Sequence, residues 1–259
     1  MLLAINVGNT EMKLGVFNDR ELAFSRRIAT HPTRTADELA LLFGGFLEHE
    51  GMSFSRQISG VAISSVVPQA SQALRDMTER YFHFEPLVVG PGIKTGMAVL
   101  TDNPKEIGAD RIVNAIAAFD RYGGPCVVVD FGTATTYDVI SEKGEFLGGV
   151  IAPGLDVSAV GLSRAADRLP QVEIEAPRGV IAKNTVEAIQ AGLVFGTAAE
   201  VDGVVERIQK EIGPATVVAT GGLAPVVMPH STSIDHHDEL LTLTGLRIVF
   251  DRNTSTRDE

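Results

Sequence analysis

Val127-Val128-Val129-Asp130-Phe131-Gly132-Thr133-Ala134-Thr135-Thr136 leads from a buried apolar run through an acid into a Gly/Thr turn, and the chain carries the same plan a second time. The earlier copy is Leu2-Leu3-Ala4-Ile5-Asn6-Val7-Gly8-Asn9-Thr10. A displacement of 124 positions sets Asn6 on Asp130, Gly8 on Gly132 and Val16 on Ile140. Polar turns then coincide, Asn18-Asp19-Arg20-Glu21 against Glu142-Lys143-Gly144-Glu145. Each copy reads as strand, tight turn, strand, polar turn. Such a duplication predicts two similar half-molecules with a ligand held between them. Gly8 and Gly132 allow a close backbone approach that a side chain would block. Amides and Thr hydroxyls in such turns can cradle phosphate oxygens, and a carboxylate beside them can hold a cation. One copy alone would read as an ordinary hairpin; two in register point to phosphate.

Composition narrows the classes. The 259 residues suffice for one large domain or two of ordinary size, and 44% hydrophobic content supports real cores. A net charge of −11 argues against nucleic-acid or anionic-membrane partners, which need basic surfaces. The single cysteine, Cys126, excludes internal disulfides and reads as a small buried hydrophobe. No stretch reads as a membrane span, and Met1 leads straight into a strand, so the expectation is a cytoplasmic protein without a signal peptide.

Strand and helix patterns alternate, which predicts an α/β fold. Residues 2–7, 13–18 and 22–29 read as a meander, Thr35 to Glu50 as a helix, Gly60 to Val67 as a buried strand, Ala70 to Tyr81 as a helix and Pro86 to Val89 as a short strand. A helix start is offered at Asn103-Pro104-Lys105-Glu106 and a second at Gly108, with Gly123-Gly124-Pro125 ending that helix. A second meander follows over 126–152, then a long helix from Ile189 to Gln209 and a strand from Thr216 to Thr220. Gly192 and Gly196 read as a face for close packing, and the polar tail after Asp251 as frayed. A hinge near residue 120 divides the chain into 1–118 and 119–259.

Several further motifs bear on chemistry. Asp110 beside Arg111 puts an acid and a base at a helix entry, where Asp110 could take a proton from a hydroxyl and Arg111 could grip a carboxylate; taken by themselves, those residues favour a surface ion pair. Gly90-Pro91-Gly92-Ile93-Lys94-Thr95-Gly96 fails as a Walker loop, because Ile93 stands where Gly is needed, and reads as a loop shaping a pocket. Gly221-Gly222 ends a strand in a turn that could admit a flat ring or be merely tight. Asp235-His236-His237-Asp238 lacks a third ligand at sensible spacing and reads as a solvated loop.

Together, Asn6-Val7-Gly8-Asn9-Thr10, Asn103-Pro104-Lys105-Glu106-Ile107-Gly108-Ala109-Asp110-Arg111, Asp130-Phe131-Gly132-Thr133-Ala134-Thr135-Thr136, Gly148-Gly149-Val150-Ile151-Ala152-Pro153-Gly154, Lys183-Asn184-Thr185 and Ala219-Thr220-Gly221-Gly222 resemble the type III pantothenate kinases over residues 1 to about 253. The resemblance implies two duplicated actin/hexokinase-like (ribonuclease H-like) α/β domains with a nucleotide cleft between them, and a homodimer. It implies phosphorylation of pantothenate by ATP with Mg²⁺, the first step of coenzyme A biosynthesis, with a monovalent cation, K⁺ or NH₄⁺. By matching motif, Asn6, Val7, Gly8, Asn9, Thr10, Glu11, Met12 and Lys13, with Thr133, would bind ATP. Thr101, Gly108, Ala109, Asp110, Arg111 and Thr185 would bind pantothenate, Asp110 acting as general base, and Asp130 would hold the monovalent cation.

Two positions depart from that pattern. Asn6 stands where the family usually has Asp, and an amide brings no negative charge to a metal. Thr101 stands where Tyr is typical, keeping a hydroxyl and losing reach. Lys13, after the first turn, reads either as a phosphate contact offsetting Asn6 or as a solvent-facing strand lysine. These departures leave three readings: a working pantothenate kinase, a nucleotide-binding paralogue of weakened or absent activity, and a sugar or acetate kinase, which the Gly-Ala-Asp-Arg and Lys-Asn-Thr motifs argue against.

Overall fold

In the computed structural model, residues 1–254 are described; the end of the polar tail, 255–259, lies outside the described residues. The chain divides into two compact units, one of Met1–Gly96, Asn103–Ala117 and the stretch from Leu241 onward, the other of Met97–Asp102 and Ala118–Leu240. Against a single cut after residue 118, residues 97–102 and Ala118 go with the second unit and the C-terminal stretch with the first.

The first unit is built on a five-stranded sheet of order β3-β2-β1-β4-β5, from β1 (Leu2–Val7), β2 (Glu11–Asn18), β3 (Glu21–Ala29), β4 (Gly60–Ser65) and β5 (Leu87–Val88). β1, β2 and β3 form an antiparallel meander, and β4 and β5 add in parallel. Period-two alternation sorts the side chains: Leu3, Ile5, Val7, Met12, Leu14 and Val16 join a core with Leu39, Phe43 and Leu47 of α1 (Ala36–His49) and Leu74 and Met77 of α3 (Pro68–Phe82), while α2 (Phe54–Gln57) is a single turn. α1 begins in a capping box: Thr35 takes the Glu38 N–H and Glu38 takes the Thr35 N–H. On the other face lies α8 (Leu241–Thr254), a helix absent from the sequence reading, which includes Arg252 to Thr254 of the tail expected to fray. It packs on β1, β2 and β4 because small residues admit it: Leu243 lies over Gly15 and Phe250 over Gly60. Gly245 is closer still, since a Cβ there would stand 2.0 Å from the Val113 carbonyl oxygen on α4 (Ala109–Tyr122). Pro104–Glu106 forms only a 3₁₀ turn, so the second start is the real one and α4 begins at Ala109.

The second unit repeats the plan with β6 (Cys126–Phe131), β7 (Ala134–Ile140), β8 (Phe146–Pro153), β9 (Thr216–Thr220) and β10 (His236–His237), in sheet order β10-β9-β6-β7-β8. Read from its other edge this is the first sheet strand for strand, with parallel additions at β9 and β10. Both copies break register at one place, between Val16 and Phe17 and between Val139 and Ile140. The offset changes inside the turn: Leu2 pairs with Phe17 but Cys126 pairs with Ile140, so Phe17 and not Val16 is the counterpart of Ile140. The second turn is one residue shorter. Val127, Val129 and Phe131 pack under Ala198, Val201 and Val205 of α6 (Thr185–Ile212) and Ala224 and Val227 of α7 (Ala224–Val227), and α5 (Leu155–Ala165), also absent from the sequence reading, lies against α6.

One sequence expectation is corrected by this unit, that for Gly192 and Gly196. At 28 residues α6 is long and apolar enough to cross a bilayer by length and composition only; Ala198, Val201 and Val205 are buried in the second core, and Ile189 and Leu193 in a smaller cluster with Ala159 of α5. Gly192 and Gly196 serve no close packing within the chain, since a Cβ at either would meet nothing within 4 Å.

Candidate active site

The first turn is held from behind. Gly8 N donates to Glu11 O (3.0 Å), Thr30 Oγ1 donates to Gly8 O (2.8 Å) and Thr30 N donates to Thr10 O (2.8 Å). Carbonyls that would repel phosphate are thus engaged, and Asn9 and Thr10 are exposed. Val7 and Met12 are buried in the core, so of these two only the backbone can meet a ligand. Asn6 lies at the mouth of β1, paired with Ser64 of β4 and with Lys13 of β2. Asn6 Oδ1 and Ser64 Oγ are both enclosed without a hydrogen-bond partner. Buried polar atoms seldom stay so, and these mark a place where a ligand or its water completes the bonding.

Asp110 belongs to the same unit, in the first turn of α4. Its Oδ1 accepts the Arg111 N–H at 2.8 Å and folds back over Gly108, where a Cβ would stand 2.5 Å from that oxygen and 3.7 Å from Val66 Cγ1. Gly108 is thus needed to let the carboxylate in. Val66 N donates to Val7 O (3.1 Å), which puts this corner at the end of β1. Burial pushes the Asp110 carboxyl above the usual carboxylate range, against the opposing pull of the Arg111 N–H and guanidinium. An enclosed carboxylate with raised proton affinity is suited to general-base work.

The second unit holds Asp130, Thr133, Thr101 and Thr185. Asp130 ends β6 in register with Thr136 and with buried Thr220. Gly221, at φ +93°, presses on it: a Cβ there would lie 2.6 Å from Asp130 Oδ1 and 2.5 Å from Phe131 O. Gly221 is therefore a close approach to β6, while a Cβ at Gly222 would meet nothing within 4 Å. Gly154 abuts the turn likewise, its N donating to Thr133 O at 3.2 Å. Thr101 sits beside Gly148, its Oγ1 enclosed without a partner. Thr185 is distant in kind: exposed, just after the N-cap Asn184, it lines an apolar hollow of about 280 Å³ with Leu162, Leu169, Ala188, Ile189 and Leu193.

Three other motifs resolve into structure. The Gly90–Gly96 loop is fastened to α8, Asn253 Nδ2 donating to Lys94 O (2.9 Å) and Arg252 to Thr95 O. His236 and His237 are not a loop but the edge strand β10; Asp235 accepts the Val217 N–H (2.8 Å), and Asp238, nearly buried, pairs with Arg121 at 2.8 Å. Burial pushes the Cys126 thiol up to about 12, which leaves it an inert hydrophobe. Ser64 and Thr220, the parallel-strand partners of Asn6 and Asp130, were missed in sequence; the signal was a hydroxyl closing each apolar run, Gly60–Ser65 and Thr216–Thr220.

Two five-stranded mixed sheets of one topology, each with a glycine turn after its first strand, define the actin/hexokinase-like class of α/β ATPases. The chain resembles component A of the (R)-2-hydroxyglutaryl-CoA dehydratase of Acidaminococcus fermentans (TM-score 0.58, 14% identity, 100% of this chain and 99% of that one). It also resembles a ROK hexokinase from Thermus thermophilus (TM-score 0.52, 13% identity, 96% and 97% covered). At such identities the likeness speaks for the fold alone. Sequence comparison is narrower: the family profile described as type III pantothenate kinase matches residues 2–207. A type III pantothenate kinase from Streptomyces griseus is 51% identical over 263 residues, covering 98% of this chain and 99% of that protein. This chain belongs to the type III pantothenate kinase family. A kinase of this fold class implies ATP with Mg²⁺ as the phosphoryl donor.

Proposed function

We propose that this chain transfers the γ-phosphoryl group of ATP to the primary hydroxyl of pantothenate, and that Asp110 is its general base. The observation that carries this is the Asp110 corner: an enclosed carboxylate of raised proton affinity, admitted by Gly108 and standing next to Arg111. Asp110 accepts the hydroxyl proton while that oxygen forms its bond to the γ-phosphorus. The bond to the bridging oxygen breaks, and ADP carries its electron pair away. Arg111 is the candidate partner for the pantothenate carboxylate, a bidentate match. The turn from Asn6 to Lys13 and Thr133 of the second turn hold phosphate oxygens through backbone N–H groups and hydroxyls. Asp130, beside Thr220 and Thr136, is the carboxylate that fits the monovalent cation. Mg²⁺, when bound with ATP, supplies charge neutralisation to the phosphates. Catalysis here is mainly positioning and electrostatics.

The test is ADP release with ATP, Mg²⁺ and K⁺, with and without pantothenate. Pantothenate-dependent release supports the reading. Release that follows hexoses and ignores pantothenate rejects it, and nucleotide binding without any turnover returns the weakened paralogue.

A homodimer in the cytoplasm is the accompanying proposal. Apolar side chains stand out on one part of the second unit: Val157 and Leu162 on α5, Val180, Val186 and Ile181, the last 92% exposed, around the start of α6. Such a patch favours burial against another chain. Ile181→Asp is expected to move the mass measured by light scattering from dimer to monomer; an unchanged mass would reject this face.

A further inference from the structure

The last turn of α8 holds a loop by its backbone. Asn253 accepts the Lys94 N–H on Oδ1 at 3.2 Å and donates from Nδ2 to Lys94 O at 2.9 Å. A carboxamide offers a donor and an acceptor side by side, so it pairs with both polar groups of one residue as a neighbouring strand would. Nδ2 is itself steadied one turn back by Val249 O, at 2.7 Å. Arg252 donates to the next carbonyl, Thr95 O. Its guanidinium lies close over Gly96, where a Cβ would stand 2.5 Å from Nη1. Gly96, at φ +71°, lets the chain turn under that group.

The chain that leaves this loop is taken up at once by β8. Phe146 N donates to Ala98 O (2.8 Å), Leu100 N donates to Phe146 O (2.9 Å), and Val99 forms a parallel bridge with Phe146. Only Gly96 and Met97 separate the last carbonyl held by α8 from the first held by β8. Thr101 comes next. Its Oγ1 is enclosed without a hydrogen-bond partner, and its methyl lies beside Gly148. A hydroxyl both donates and accepts, and buried ones seldom stay unpaired, so this one is placed for a ligand atom. A strap held at both ends leaves Thr101 little freedom; released at Lys94 and Thr95, it is held at one end only.

We propose that Arg252 and Asn253, at the C-terminal end of α8, are positioning residues for the acceptor substrate: by clasping the backbone of Lys94 and Thr95 they fix where the Thr101 hydroxyl meets pantothenate. The inference rests on the pantothenate kinase reading and deepens it, since it takes Thr101 as a contact to that substrate and assigns its placement to α8. The first turn is tied instead to Thr30 and Glu11, so the effect falls on pantothenate and spares ATP.

Steady-state kinetics with pantothenate and ATP varied in turn test this. Asn253→Ala and Arg252→Ala are each expected to raise KM for pantothenate by about three- to tenfold, the usual effect of one lost hydrogen bond. KM for ATP and kcat are expected to stay within about twofold of the parent. Thr101→Val keeps the shape, removes the hydroxyl and is expected to raise the same KM by a similar factor. Combined with Asn253→Ala it should raise that KM no further, because the clasp acts through Thr101. Thr254→Ala removes only a hydroxyl bonded within α8, to Phe250 O and Asp251 O, and is the control that leaves both KM values in place. Hydrogen exchange gives a readout apart from turnover: in Asn253→Ala the amides of residues 94–100 should exchange faster while β1 and β2 keep their protection, which also establishes that the variant is folded. An unchanged pantothenate KM, a rise in both KM values together, additive effects of Thr101→Val and Asn253→Ala, or unchanged exchange over 94–100 overturns the inference and leaves the kinase reading intact. A parent without pantothenate-dependent ADP release overturns both.

Discussion

Replacing Asp110 by Asn is expected to lower kcat by about 10²–10⁴-fold, the usual contribution of a positioned base. The amide keeps the volume and an oxygen for the Arg111 N–H, and removes only the ability to take a proton. Two further readouts separate this from structural damage. The acid limb of the kcat/KM profile of the unmodified chain should lie above the ordinary carboxylate pKa, because burial raises that of Asp110, and the Asp110→Asn variant should lack that limb. Stability should move the other way. A carboxyl whose folded-state pKa is raised contributes most below its unfolded pKa, and that contribution is lost as pH rises through the folded value. At neutral pH the charged form is the one that burial penalises, so Asp110→Asn should melt no lower than the parent. A variant with full kcat, or one that loses activity together with several degrees of Tm, would remove Asp110 from the proposed role.

The second large effect is expected at Gly221. Its φ of +93° is a region side chains avoid, and a Cβ there would meet Phe131 O at 2.5 Å, Phe131 N at 2.6 Å and Asp130 Oδ1 at 2.6 Å. Two of these neighbours are backbone in the centre of the sheet and cannot swing away. Gly221→Ala must therefore move the end of β9 off β6, with an expected loss of about 2–4 kcal/mol from strain and overpacking together. Turnover should fall by about tenfold or more, because small displacements of the site are costly to rate. Gly222 supplies the control, since a Cβ there meets nothing within 4 Å. Gly222→Ala should stay within about 0.5 kcal/mol of the parent in urea unfolding. Equal effects at the two positions would show that Gly221 is merely part of a turn.

What could be read in the chain was what short-range pattern encodes. Four apolar residues, a polar one and a glycine make a strand and turn wherever they fall, so both meanders were legible, as were α1 and α3 with their apolar stripes. Asp110 and Arg111 were visible as a pair, and the motif resemblance gave them roles. α8 was not legible, because it is covered by the sheet on one side and by α4 near Gly245 on another. A helix buried nearly all round leaves only a narrow polar strip, Thr244, Arg247 and Asp251, for a periodicity to reveal. The fastening of the Gly90–Gly96 loop was hidden for a related reason: its partners, Arg252 and Asn253, lie at the far end of the chain.

Duplication, fold class and the two turns thus follow from local chemistry, since each copy closes its own hairpin within a few residues. What surrounds Asn6 does not: only pairing across β4, β1, β2 and β3 sets Ser64, Asn6, Lys13 and Arg27 in one row. Register is a tertiary quantity, fixed by which side chains can share the core beneath the sheet, and a slip of one residue would turn every member of that row to the opposite face.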